Sequence, residues 1–189
     1  MRPAEPVRPE PLPDTSHRLD ARVLCLGNDL LADDALGFRV ARALRRELGD
    51  RGRSSVDIVE TPESGFALLD HLGGVRRLVV VDTVVTGRAA PGTIYIIEEN
   101  EDWKAAPGTS AHYVGLFEAL QAGRAMSLPV AEEVVILAVE AADVVSVGGS
   151  MTEAVEAVLP AVVSQVQALL GEQGRSEERI GRPARARSD

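Results

Sequence analysis

The chain has 189 residues, 45% of them hydrophobic, with 20 Lys+Arg against 29 Asp+Glu and a formal charge of −9. That length suits one domain of ~100–200 residues. The acidic excess argues against holding nucleic acid through its phosphates or lying on an anionic membrane. The lone cysteine, Cys25, excludes an intramolecular disulfide.

Residues 1–20 hold five of the eleven prolines and no apolar stretch of the kind a signal peptide needs, so they read as a disordered lead-in. Residues 171–189 carry five arginines, three glutamates and an aspartate without apolar periodicity, and read as a solvated, disordered tail. One domain is expected over 21–170. No run approaches the ~20 apolar residues that span a bilayer, and the chain is expected in the cytoplasm.

Inside the domain, strand and helix signals alternate. Arg22–Leu26 is an apolar strand stopped by Gly27-Asn28. Leu36, Val40, Ala43, Leu44 and Leu48 then recur at helical spacing. Val56–Glu60 is a second strand, and Phe66, Leu68, Leu69 and Leu72 predict a short helix closed by Gly73-Gly74. Arg77–Asp82 is continuous and β-branched, the pattern of a strand buried on both faces. Thr93–Glu98 and Val134–Glu140 are two more strands, Ser110–Ala122 reads as helical, and a last helix covers Thr152–Leu170 with Pro160 inside it. The expected fold is α/β: a three-layer α/β/α sandwich on a twisted, mostly parallel five-stranded sheet, with helices on both faces.

In such folds ligands collect outside the carboxyl ends of the strands. Three features fall there: the loop holding Asp33 and Asp34, the strand-ending Asp82, and the helix-initiating segment Thr109–His112. Two carboxylates and an imidazole from separate elements would make an O,O,N metal site, with imidazole suited to nickel, zinc, copper or iron. Each residue also has a plainer role. Asp33 or Asp34 fits a helix cap, Asp82 a turn, and His112 a surface or capping position. Cys25 reads as a small buried hydrophobe. His71 and His17 carry weaker cases. The single lysine, Lys104, leaves no GxxxxGK[ST] phosphate loop and sits in a polar stretch unsuited to Schiff-base chemistry. HExxH, GxSxG, CxxC and GxGxxG are all absent.

The string Cys25–Leu44 resembles the N-terminal signature of the hydrogenase maturation endopeptidases, roughly G-N-x-L-x-x-D-[DE]-x-x-G-x-x-V, through Gly27, Asn28, Leu30, Asp33, Asp34, Gly37 and Val40. Val79–Val84 is similar to the family's second acidic motif with Asp82, and Thr109–Leu116 to its S-x-H segment with His112. The resemblance extends over residues 22–170. Ala35 stands where many members carry glycine, and the stretch after the second strand keeps only Gly65 of a more glycine-rich loop.

The resemblance implies a nickel-dependent endopeptidase that removes a C-terminal peptide from the [NiFe]-hydrogenase large-subunit precursor. It implies that Asp34, Asp82 and His112 recognise nickel presented by that precursor, with no organic cofactor. Metal-polarised carbonyl, metal-activated water and a carboxylate general base all stay open. A non-catalytic chaperone for a metalloprotein precursor is the alternative. A phosphoacceptor receiver domain is a distant third, because the acidic pair follows Leu26 by seven residues and Val135–Asp143 supplies no lysine. Oligomeric state stays open, a monomer included.

Overall fold

The computed structural model describes residues 19–52, 56–98 and 111–171. The elements are β1 (Leu19–Leu26), α1 (Leu36–Gly52), β2 (Val56–Thr61), β3 (Val75–Val84), β4 (Ile94–Glu98), α2 (Ala111–Ala125), β5 (Glu133–Glu140) and α3 (Glu153–Gly171). Short 3-10 turns cover Asp33–Ala35 and Gly65–His71. The expected lead-in at 1–18, the expected tail from 172 onward, His17 and Lys104 lie outside the described residues. β1 begins at Leu19, inside the expected lead-in, because Leu19 is already in register with Val75 of β3.

The sheet order is β2-β1-β3-β5-β4, parallel throughout except for β4, which runs antiparallel along β5 at the edge. Strand side chains alternate between two apolar layers. Leu24, Leu26, Leu78, Val80 and Ile136 meet Leu68, Leu72, Leu116 and Leu120 of the second 3-10 turn and α2. Val23, Cys25, Val79, Val81, Leu137 and Val139 meet Leu36, Val40, Leu44, Val155, Val162 and Val166 of α1 and α3. Both faces of β1, β3 and β5 are therefore covered, which is why their sequences read as continuous apolar runs. The fold is the expected α/β/α sandwich.

In α3 the structure departs from the sequence-based expectation. This helix is 19 residues long with a mean hydropathy of 1.5, enough by length and composition to cross a membrane. Its buried Val155, Val162, Val163 and Val166 pack in the α1-side core, and 22% of the apolar window is buried in this way. The chain leaves β1 through α1 to β2 on one flank, then returns to β3 on the other. β1 and β3 thus flank the point where strand order reverses, the crevice at which open α/β sheets gather ligands.

Candidate active site at the carboxyl edge of the sheet

The loop after β1 closes tightly upon itself. Gly27 adopts φ +136, and a Cβ there would fall 2.1 Å from the carbonyl oxygen of Asp34. The Asn28 amide donates to that same carbonyl at 3.1 Å, and the Asn28 side chain accepts from the Leu30 amide at 3.0 Å. Only glycine combines this backbone angle with so close an approach. The Gly-Asn pair at the strand end is thus what folds Asp33 and Asp34 back toward the sheet.

The two adjacent aspartates then part company. Asp33 is fully buried and its carboxylate is saturated: it accepts from the Ala142 and Asp143 amides at 2.8 and 2.9 Å, and from the Thr152 amide and hydroxyl at 2.7 and 2.9 Å. It ties the β1–α1 loop to the β5–α3 loop and braces the residue that opens α3. Asp34, 8% exposed, accepts at Oδ1 from the Thr83 hydroxyl at 3.1 Å. Its Oδ2 accepts none among the described residues. Neither aspartate caps its own turn, whose N-terminal position, Ala32, has no side-chain cap. The capping role that the sequence allowed is replaced by these tertiary contacts.

Asp82, 1% exposed, lies on β3 beside β1, and its Oδ1 accepts from the Thr83 amide at 2.8 Å. Thr83 therefore holds both carboxylates, one through its amide and the other through its hydroxyl. Sequence reasoning passed over Thr83; its one signal was adjacency to Asp82. His112 is in the first turn of α2, and its side chain lies outside the described residues. The backbone fixes where that turn sits. A Cβ on Gly115 would fall 2.3 Å from the Gly65 amide nitrogen, so α2 begins directly against the segment that follows β2 at the same sheet edge. Among the described side chains, no group of three or more His, Cys, Asp or Glu is placed to hold a metal ion. The structure brings Asp34 and Asp82 to one shared residue, Thr83, and the His112 turn to the same sheet edge.

The other candidates have structural roles. Cys25 is fully buried in β1, and burial, opposed by Arg45 and a backbone hydrogen bond, pushes its thiol up to about 12, so it is inert as a nucleophile. His71 pairs through Nε2 with Glu63 at 2.9 Å.

Glu140 was not singled out from the sequence, although it ends β5 as Asp82 ends an apolar run of β3. It is 2% exposed and accepts from the Thr86 amide and hydroxyl, the Gly87 amide and the Tyr95 hydroxyl at 2.6–3.0 Å. This latch pins the chain that leaves β3 just beyond Asp82. Burial pushes the Glu140 carboxyl up, but the bonds from Thr86, Gly87 and Tyr95 together outweigh it and hold the group below its ordinary 4.5. A depressed folded value means stabilisation that is complete above the unfolded value and is lost as pH falls through the folded one. The difference in thermal midpoint between wild type and Glu140→Gln is expected to be full near neutral pH and to shrink below about 4.5. A difference independent of pH would remove the charge from this account.

The hydrogenase maturation protease family model matches residues 38–169, a span that contains Asp82 and His112 and begins four residues after Asp34. A hydrogenase expression/formation protein, HupD of Rhizobium leguminosarum bv. viciae, is 30% identical over 145 residues, covering 75% of this chain and 69% of that protein. The hydrogenase 2 maturation protease of Escherichia coli K12 is 33% identical over 105 residues, 54% of this chain and 62% of that one. Among solved structures, the hydrogenase maturating endopeptidase HybD from E. coli superposes with a TM-score of 0.70 at 29% identity, covering 82% of this chain and 94% of its own.

Proposed function

The chain belongs to the hydrogenase maturation protease family and is a peptidase, and from that premise we propose that Asp34, Asp82 and His112 form the site at which it cuts a C-terminal peptide from a [NiFe]-hydrogenase large-subunit precursor. The observation that carries the assignment is the pairing of Asp34 and Asp82 about Thr83 at the strand-order reversal. Two buried carboxylates converge on one residue, and Asp34 keeps an oxygen without a hydrogen bond among the described residues, unlike the saturated Asp33. Such an arrangement is favoured when a cationic or proton-transfer partner is expected.

The precursor brings the nickel as its own cargo. The hard carboxylates of Asp34 and Asp82, with the imidazole of His112, suit a divalent ion whose remaining ligands come from the substrate. Recognition of the loaded precursor then places the scissile bond beside the carboxylates. One of them takes a proton from the attacking water as its oxygen bonds to the peptide carbonyl carbon, and the amine leaves with a proton as the C–N bond breaks. The large-subunit precursor is the protein partner, met in the cytoplasm, where a chain with one buried thiol has no need of oxidising conditions.

The test is intact-mass analysis of nickel-loaded and nickel-free precursor after incubation with wild type and with His112→Ala. Loss of one defined C-terminal peptide is expected only from loaded precursor and only with His112 present. Equal cutting of nickel-free precursor would overturn the nickel reading, and equal cutting by the variant would remove His112 from the site. No cutting by wild type would overturn the precursor assignment.

A further inference from the structure

Eight large hydrophobic residues are exposed among the described residues, and five of them, Leu30, Phe66, Val85, Val145 and Val147, lie on the segments that leave the carboxyl ends of β1, β2, β3 and β5. Three belong to one pinned pair of loops. The Ala32 amide donates to Ser146, the Gly148 amide to Leu30, and Leu31 bridges Val147 in antiparallel fashion. Asp33 clamps the base of the second loop through Ala142 and Asp143. The carboxylate of Asp143 turns inward to accept from the Val145 and Ser146 amides at 3.0 and 2.9 Å. Backbone so thoroughly held is not a loosely hanging loop, yet it presents Leu30, Val145 and Val147 at 63%, 78% and 79% exposure. Hydrophobic side chains fixed in water on a rigid support are preorganised for a contact the free protein does not make.

We propose that Leu30, Val145 and Val147 form a docking platform for an apolar, extended stretch of the precursor polypeptide, seated beside Asp34. This rests on the peptidase reading above and gives that site its recognition element. Residues 144–151 contain no charged side chain, so selection there is by apolar contact. Three side chains offer on the order of a few hundred Å², well short of the ~800 Å² per partner that a stable dimer needs. A peptide segment fits that area; a second copy of the chain does not. Leu30 is four residues from Asp34 in the same closed loop, so whatever seats on the platform lies next to the carboxylates.

The experiment measures binding and cutting of the nickel-loaded large-subunit precursor by full-length wild type, Val145→Ser/Val147→Ser, Leu30→Ser, and Met126→Ser/Leu128→Ser, which alters exposed side chains at the opposite sheet edge. Circular dichroism establishes folding of each. Removing two apolar contacts is expected to raise Kd and KM about tenfold or more with kcat unchanged. Leu30→Ser follows the same direction, and the opposite-edge variant binds as wild type. Unchanged Kd in both folded platform variants would overturn the platform, as would equal weakening by the opposite-edge variant. Wild type that binds in the expected platform-dependent way but leaves the precursor whole would keep the platform and overturn the peptidase reading of the site. Absence of wild-type binding would overturn both.

Discussion

Asp34→Asn is expected to fold as wild type and to lose processing by about 100-fold or more, the scale of a missing general base. The substitution is nearly isosteric, and the amide oxygen still accepts the Thr83 hydroxyl bond that Asp34 accepts now. What disappears is negative charge at a position 8% exposed. Because the isosteric amide keeps the bond from Thr83, the thermal midpoint is expected to stay near that of wild type. Intact-mass time courses of precursor cleavage, read beside thermal melts, check both halves. Full-rate processing would take Asp34 out of the chemistry. A large fall in midpoint would make it a structural residue instead.

Its neighbour is expected to behave in the opposite way. Asp33→Ala removes a fully buried carboxylate and leaves the amides of Ala142, Asp143 and Thr152 and the Thr152 hydroxyl without their acceptor in a part-buried site. An unsatisfied buried donor costs about 1–3 kcal/mol, and these part-buried ones fall toward the lower end of that range. With partial relaxation, a net loss of about 3–5 kcal/mol is expected, on the scale of breaking a buried charged contact. For a chain of this size that lowers the midpoint by about 10 °C or more. The loss also frees the β5–α3 loop from the loop carrying Asp34, so any protein that still folds cuts the precursor poorly. Denaturant titration and cleavage assays test the pair of effects. Near-wild-type stability would mean that the clamp contributes little.

These contrasting outcomes for adjacent residues of one type show where sequence reasoning reaches its limit. Read along the chain, Asp33 and Asp34 are equivalent candidates for a cap or a site. Which of them is saturated depends on residues 109–119 positions away, and local spacing carries no information about those partners. Thr83 was invisible as a link between carboxylates for the same reason, since its hydroxyl reaches across 49 positions. Glu140 was missed although its pattern was present: a carboxylate ending a buried strand must find donors, as it does in Thr86, Gly87 and Tyr95.

The sequence by itself determined the layers. Apolar runs in β1, β3 and β5 demand cover on both faces, helical spacing in α1 and α3 supplies that cover, and Gly27-Asn28 forces the turn that brings an acidic pair to the strand end. It also determined the family through motifs in chain order. The tertiary structure alone decided strand order, with β1 and β3 flanking the reversal, and hence that Asp34 and Asp82 share Thr83 while Asp33 is consumed as a clamp. Periodicity is a local property, set by backbone geometry within a few residues. Partner choice is a property of the packed whole, fixed only when distant segments compete for the same buried donors.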